Sequence, residues 1–343
     1  MSQKSGLLWI VLFLSMSSCV SYKKLSIEVF KPAKYAVPPE IKKLAIVSRN
    51  LKYEDDTLQN YHVKNRQLFK DKVRFNSDSA ALKICIDSLA NKLLLQSNFD
   101  SILILPVNLY PLTRVKKVRP YIADWYKKLA TETRADGLII LDMFSCFYSY
   151  TDIMDSNPTA NVVTSNIWSF YDCKRKKITD RFTQIDTLYW DRRDENGNFT
   201  NNKIPAKKEA ISLAAGVIGE NYSKHIQPAW VMVYRDIMVC NNQDLKQAEK
   251  LAQKSKWEEA FAIWEKYAEH KSKRNQIVAL YNLALASEMK GNVDDAIKFT
   301  DRAAKASLGS FWSIENEAIR KYSAVLHQRK NELKKLSTQY ELP

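Results

Sequence analysis

Hydrophobic positions recur with two different spacings in the first part of the chain. Short apolar runs, typical of buried strands, occupy residues 43–47 and 101–106, and an apolar spacing of three and four residues predicts a helix over residues 82–93 between them. A second helix is predicted over residues 121–134, after Pro120, because proline suits the first turn of a helix. Strands and helices are therefore expected to alternate here.

From Gly137 onward the pattern changes to that of strands. An apolar run at residues 137–141 opens a long aromatic strand that ends at Tyr150, and residues 162–171 and 178–190 alternate between apolar and polar positions. With turn-forming residues at 172–176, residues 137–190 are predicted to form an antiparallel meander that buries one face. After Pro205, a stripe of apolar residues at helical spacing predicts a helix that covers the sheet. Residues 41–240 are therefore expected to form a mixed α/β domain that contains this meander.

Beyond a polar break at residues 240–244 the pattern is helical, and residues 279–303 resemble a tetratricopeptide repeat (TPR). Gly291 would form the turn between its two helices, and an earlier copy has Ser255 in that place. Small residues at three positions would let the helices approach closely. These are Ala284, Ala296 and Ala303. Residues 311–339 are expected to form an amphipathic closing helix.

The TPR resemblance implies that residues 243–340 form an all-α, TPR-like helical repeat domain whose groove binds a peptide segment of a protein partner. Asn282 lies on the groove-side helix by this resemblance and is the candidate partner contact. A rigid spacer or a dimer surface is the alternative use of so few repeats. The whole chain is thus expected to have an α+β fold, with the α/β domain first.

The first nineteen residues have the pattern of a secretory signal. Lys4 is followed by an apolar run at residues 7–14 and by small residues before Cys19. The run is too short to cross a bilayer, which takes about 20 apolar residues. Residues 1–18 are therefore predicted to be a signal peptide that is removed.

Residues 14–19 resemble the lipobox of bacterial lipoproteins, in which the cysteine thiol receives diacylglycerol. This resemblance implies that Cys19 is lipidated and that the lipid anchors the protein to a membrane. Met16 stands where the lipobox usually has leucine, so cleavage to a soluble exported protein is the alternative. Residues 19–40 contain three prolines and several lysines, which predicts a lipid-anchored tether.

The charge and the remaining chemistry exclude several function classes. The formal net charge of +15 could attract nucleic acid, anionic lipid or polysaccharide, but export separates the chain from nucleic acid, so none is expected as a partner. The seven glycines cannot assemble a phosphate loop or a nucleophile elbow. The histidines are isolated from one another. They are His62, His225, His270 and His327. No catalytic residue, metal site or cofactor is therefore assigned.

The cysteines beyond Cys19 show no CxxC spacing, which argues against a zinc or thioredoxin-like motif. They are Cys85, Cys146, Cys173 and Cys240. Apolar surroundings predict buried free thiols. An oxidising compartment also permits a disulfide, for which Cys146 with Cys173 is the candidate pair.

The lipobox, residues 27–32, residues 41–47 and the repeat tail together resemble an uncharacterised Bacteroidota lipoprotein family. Residues 20–24 lack the acidic residues that accompany surface display in such lipoproteins, which implies the periplasmic face of the outer membrane. We expect a non-enzymatic lipoprotein that acts as a protein-interaction or envelope-assembly module. The alternative is a periplasmic enzyme or glycan-binding protein acting on cell wall or polysaccharide, which a deep cleft with converging acids would favour.

Overall fold

The computed structural model describes residues 20–54, 61–70, 76–95, 99–121, 123–152, 158–193, 198–200, 203–308 and 313–339. The signal-peptide and lipidation predictions, for residues 1–18 and Cys19, lie outside these ranges. The chain divides into two compact units. The α/β unit runs from Ala33 to Gln227, and the ribbon–helix unit combines the described residues up to Pro32 with the chain from Pro228 onward.

Strands and helices alternate in the first part of the described chain, and helices alone follow the last described strand. The strands are β1 (Ser21–Lys31), β2 (Lys43–Tyr53), β3 (Tyr61–Lys64), β4 (Gln67–Lys70), β5 (Ser101–Ile104), β6 (Thr113–Val115), β7 (Gly137–Asp152), β8 (Thr159–Asp172), β9 (Lys177–Trp190) and β10 (Ala229–Val239). The helices are α1 (Asn76–Leu95), α2 (Ala123–Thr133), α3 (Lys207–Ile226), α4 (Gln243–Gln253), α5 (Trp257–Lys266), α6 (Lys273–Met289), α7 (Val293–Ser307) and α8 (Ser313–Gln339). This order confirms an α+β chain with a β-rich first part and a helical end.

The sheet of the α/β unit is built around β7. This strand pairs in parallel with β2 along its first half and with β3 near its end, and it pairs antiparallel with β8 along its length. β8 pairs in turn with β9, which confirms the antiparallel meander predicted over residues 137–190. The prediction that one face is buried is wrong for β7, whose first ten residues are buried on both faces. β5 and β6 pair with β2, and β4 pairs with β3, so eight described strands form one mixed sheet.

Helices pack against both faces of this sheet because successive β7 side chains point to opposite sides. Ile139 packs with residues of α1 and α3 in one core, whereas the next residue, Ile140, packs with α2 in another. Both are fully buried. α1 and α3 approach so closely that a β-carbon on Gly219 would lie 2.2 Å from the Cys85 carbonyl oxygen, so the position accepts only glycine.

β1 and β10 form a two-stranded antiparallel ribbon that is paired residue by residue along both strands. This corrects the prediction of a tether over residues 19–40. Ile27 and Val29 are buried and alternate with the exposed residues between and beside them, which is the pattern of a half-buried strand. The prolines that suggested a tether begin at Pro32, directly after the strand, and end it rather than prevent it.

The helices of the ribbon–helix unit pack in consecutive pairs. The turns within the first two pairs hold Ser255 and Gly291 at positive φ, 59° and 82°. Fully buried alanines lie along these helices. They are Ala260, Ala284, Ala296 and Ala303. β10 packs on the same helices through Met238, so the structural boundary falls at Pro228 rather than at the predicted residue 240.

The described cysteines are free thiols, and three of them are buried. Cys146 lies in the second half of β7, whereas Cys173 follows Asp172, which pairs with Gly137 at the start of β7. The two cysteines are thus about 30 Å apart along the strands, since a strand rises about 3.3 Å per residue. A disulfide requires α-carbons within about 7 Å. The Cys146–Cys173 disulfide prediction is therefore wrong. Cys173 is a free thiol whose pKa is raised by burial to about 12.

Candidate functional site

A pocket lined by four tyrosines lies in the ribbon–helix unit, between one face of the ribbon and α8. The tyrosines are Tyr22, Tyr234, Tyr281 and Tyr322, and the pocket volume is about 260 Å³. Tyr22 of β1 and Tyr234 of β10 lie on the same face of the ribbon, because the strand register and the alternation of side chains place them there. Tyr281 comes from α6 and Tyr322 from α8. We call this site the tyrosine pocket.

An ion pair lies beneath the tyrosine pocket. Arg235 donates from Nε and Nη2 to the two carboxylate oxygens of Glu288 at 2.9 and 2.7 Å, and the Tyr322 hydroxyl donates to the same carboxylate at 2.8 Å. The Glu288 side chain is 2% exposed and that of Arg235 is 11% exposed. Burial lowers the pKa of Arg235, but its hydrogen bonds to Glu288 outweigh this and raise it overall. The bidentate contact neutralises both charges, which is what burial of charge requires.

Burial and nearby carboxylates raise the pKa of three tyrosines of the pocket. Burial, followed by the charges of Glu315 and Asp236, raises the pKa of Tyr22 to about 12. Burial and then the charge of Asp236 raise the pKa of Tyr281. Burial and a neighbouring carboxylate raise the pKa of Tyr322 well above its ordinary value. Burial is thus the main cause of the raised pKa of each phenol, and carboxylates add to it.

Two carboxylates line the tyrosine pocket, those of Asp236 and Glu317. Glu317 lies 2.6 Å from the ammonium of Lys321, whose side chain is 73% exposed, and Asp236 lies opposite the exposed Lys24 across the ribbon. Ion pairs at such exposed positions contribute about 1 kcal/mol or less. Both carboxylates therefore remain accessible to a cation that enters from outside.

A row of large exposed side chains continues from the tyrosine pocket along β10. Trp230, Met232 and Tyr234 are 63%, 61% and 66% exposed and lie on one face of the strand. The residues between them point to the other face and are half-buried. The Phe30 ring lies 5.3 Å from that of Trp230 across the ribbon. We call Trp230, Met232 and Tyr234 the aromatic stripe. The prediction from sequence missed it, although the two-residue alternation of large apolar side chains within residues 229–239 was a readable signal.

Asn282 lies where no partner can reach it. Its side chain is fully buried and makes two hydrogen bonds to the main chain of Met238: it accepts from the N–H at 3.0 Å and donates to the carbonyl at 2.8 Å. Asn282 therefore attaches β10 to α6, and its assignment as a partner contact is wrong. The predicted groove-side face of α6 is covered by a strand of the same chain.

Buried polar groups in the α/β unit are enclosed by the fold. Arg49 donates to Asp142 at 2.7 Å, and the Ser169 hydroxyl donates to the other carboxylate oxygen at 2.7 Å. All three are buried. The Arg49 guanidinium also lies 4.6 Å from the centre of the Tyr121 ring. These contacts use both oxygens of Asp142, so its carboxylate stabilises the sheet from within the core.

The one deeply packed histidine of the α/β unit is also paired. His225 Nε2 lies 2.9 Å from a carboxylate oxygen of Asp180, and its ring stacks on Phe182 at 4.2 Å. Within the described ranges, no three histidine, cysteine, aspartate or glutamate side chains converge as metal ligands. In that same part of the chain, none of the helices has the length and apolar content to cross a bilayer.

A shallow groove of about 390 Å³ runs between α1 and α3 in the α/β unit. Its carboxylates belong to Asp87, which is hydrogen-bonded to Lys83, and to Glu220, which lies 3.3 Å from Lys92. Each acid is thus paired with a lysine on the protein surface. This arrangement does not resemble two acids that converge on one substrate atom.

Comparison with known families places the chain in one of them. A model described as a domain of unknown function, DUF8603, matches residues 41–237, which is more than half of the chain. The chain belongs to the DUF8603 family. A second domain of unknown function, DUF6340, matches residues 246–340 of this DUF8603 protein. No curated protein matches it.

Three solved structures are similar to part of this DUF8603 protein at low identity. The PelC dodecamer from Paraburkholderia phytofirmans has 11% identity and a TM-score of 0.25, over 59% of this chain and 98% of its own. Protein XCC0632 from Xanthomonas campestris has 9% identity and a TM-score of 0.25, over 56% and 87%. A neuraminyllactose-binding hemagglutinin homolog from Helicobacter pylori has 10% identity and a TM-score of 0.28, over 57% and 90%.

Proposed function

We propose that the chain is a lipid-anchored, non-enzymatic module of the bacterial cell envelope that binds a protein partner through its ribbon–helix unit. The anchor is the predicted lipid on Cys19, and the expected location is the periplasmic face of the outer membrane. The observation that carries the proposal is the aromatic stripe, which is exposed and runs into the tyrosine pocket.

The position of β1 supports direct attachment of the folded body to a membrane. Only Val20 separates Cys19 from Ser21, the first residue of β1, and Ser21 pairs with Val239 of β10. A lipid on Cys19 would therefore leave almost no slack between the leaflet and the ribbon. Two or more acyl chains of the lipoprotein type would make that attachment stable.

The helix pairs support the TPR-like interpretation of the second half of the chain. Ser255 and Gly291 both adopt positive φ in the turns where the two copies of the motif were aligned. Ala284, Ala296 and Ala303, the small residues of the motif, are fully buried. In TPR-like stacks such residues allow close helix packing. We propose that these helices act as the rigid support of the ribbon, because β10 covers the inner face of α6.

The composition of the aromatic stripe supports protein binding. Tryptophan, tyrosine, methionine and arginine are enriched at protein interfaces, and tryptophan, tyrosine and arginine supply most binding hot spots. Trp230, Met232 and Tyr234 are exposed together on one face of β10. A rigid ribbon also reduces the entropy lost on binding.

Two measurements on intact cells test this proposal. Wild type is expected in the membrane fraction and Cys19→Ala in the soluble fraction, because only the lipid holds the chain to the bilayer. Cross-linking in detergent-solubilised envelopes is expected to recover a partner with wild type and about tenfold less of it with Trp230→Ala. Tyr189→Ala serves as the control, since Tyr189 is an equally exposed aromatic on β9.

Each measurement has an outcome that contradicts the proposal. Identical fractionation of wild type and Cys19→Ala would contradict anchoring through a lipid on Cys19. Equal recovery of the same partner with Trp230→Ala and Tyr189→Ala would show that the aromatic stripe is not the binding surface.

A further inference from the structure

We infer that the tyrosine pocket receives a lysine side chain of the protein partner while the residues beside that lysine lie on the aromatic stripe. This inference rests on the proposed function, in which the stripe binds protein. It adds the chemistry of the group that is recognised, a primary ammonium on an apolar stem.

The rings of the pocket suit a cation. Tyr22, Tyr234, Tyr281 and Tyr322 surround one volume of about 260 Å³. The centres of the Tyr281 and Tyr322 rings are 5.1 Å apart and the rings are tilted by 44°. The face of a tyrosine ring attracts an ammonium group within about 6 Å, more strongly when water is excluded. Several rings around one small volume therefore favour an organic cation over a neutral group.

The charges of the pocket also favour a cation. Its one guanidinium, on Arg235, is neutralised by the buried Glu288 beneath. The two carboxylates of the lining, on Asp236 and Glu317, face exposed lysines that can turn into solvent. One of these lysines, Lys321, also lines the pocket and lies 2.6 Å from Glu317. An incoming ammonium would thus meet aromatic faces and the Asp236 carboxylate, and it would compete with the mobile Lys321 for Glu317.

The remaining lining suits the stem of a lysine. Ala318 and Val325 of α8 supply an apolar wall, and the Tyr22 hydroxyl is shielded from solvent without a hydrogen-bond partner among the described residues. Long cationic side chains bury their methylene stems along such surfaces while the charged end finds polar groups. Tyr234 belongs to both the pocket and the stripe, so one bound segment would contact both.

The test is a titration of the full-length protein in detergent with Nα-acetyl-lysine amide, which keeps the side-chain ammonium. Saturation-transfer NMR measures the binding. N-acetyl-norleucine amide is the matched probe, because it keeps the stem and lacks the ammonium. We expect saturable binding of the lysine probe alone. Asp236→Asn is expected to weaken it about fivefold and Tyr234→Leu about threefold, by loss of a rim carboxylate and of one ring face. Asp301→Asn, which removes an exposed carboxylate on α7, is expected to leave it unchanged.

Three results would overturn the inference. The first is equal binding of the norleucine probe. The second is binding of the lysine probe that neither Asp236→Asn nor Tyr234→Leu weakens. The third is binding of the unlipidated Cys19→Ala protein to anionic phospholipid vesicles, if adding Trp230→Ala to that protein abolishes it. The last would assign the stripe to lipid. Absence of saturable binding by the lysine probe would also overturn the inference. It would leave the results of membrane fractionation and partner recovery unchanged, so the two proposals fail separately.

Discussion

The two units of the chain each bury an arginine–carboxylate pair, but in opposite settings. In the α/β unit, Arg49 and Asp142 are enclosed, and Ser169 occupies the second carboxylate oxygen. In the ribbon–helix unit, Arg235 and Glu288 lie beneath a pocket that is reached from solvent. The first pair can only stabilise its unit, whereas the second also shapes a surface that a partner can contact. Access, rather than buried charge by itself, distinguishes a binding site from a structural contact.

The largest expected effect comes from removing either carboxylate. Asp142→Ala leaves the buried Arg49 without its counter-charge and is expected to lower the free energy of unfolding of the α/β unit by about 3–5 kcal/mol. Glu288→Ala is expected to cost less, because water in the tyrosine pocket can approach Arg235. Hydrogen exchange followed by mass spectrometry would report each unit separately. An equal or larger loss for Glu288→Ala would contradict the distinction between enclosed and accessible pairs.

A smaller effect is expected where two backbones touch in the α/β unit. Gly219→Ala would place its β-carbon against the Cys85 carbonyl, so the helices must separate, at a cost of about 3 kcal/mol. Gly216→Ala, one turn earlier in α3, meets no atom within 4 Å and is expected to stabilise by up to about 1 kcal/mol, since alanine favours helix. Urea denaturation of both variants checks the opposite signs. Stabilisation by Gly219→Ala as well would show that α1 and α3 are not in close contact.

In the ribbon–helix unit, the side chain of Asn282 links α6 to the backbone of β10, and its removal tests that link. Asn282→Ala leaves the buried N–H and carbonyl of Met238 without partners and is expected to lower stability by about 2 kcal/mol. Asn292→Ala is the control, because that exposed side chain makes no capping hydrogen bond to α7. The measurement is hydrogen exchange of the β10 amides. Unchanged protection of the Met238 amide in Asn282→Ala would show that this contact does not stabilise β10.

Local patterns predicted the parts of the fold that local interactions determine. The apolar and aromatic run from Gly137 identified β7, which is buried on both faces, and the alternation that follows identified β8 and β9. The helical spacing around Leu82 to Leu93 and after Pro205 identified α1 and α3. β1 was missed because its partner, β10, follows the whole α/β unit, and three prolines nearby suggested an irregular segment.

The candidate site depended on contacts that no spacing records. Asn282 has the position of a groove residue in the repeat pattern, and only the pairing of β10 with β1 explains why it is buried. The tyrosine pocket combines side chains from β1, β10, α6 and α8, which are far apart along the chain. The alternation of Trp230 and Met232 was visible in the sequence, but their exposure follows from packing of the opposite ribbon face.

The pairing of the first described strand with the last has a consequence for synthesis. β1 emerges ahead of the whole α/β unit, and its hydrogen-bonding edge has no partner until β10 follows. Contacts this distant along the chain form late, and an unpaired edge is prone to aggregation in the meantime. The newly made polypeptide therefore passes through an interval in which its leading strand is exposed, and the length of that interval is set by the segment between the two strands.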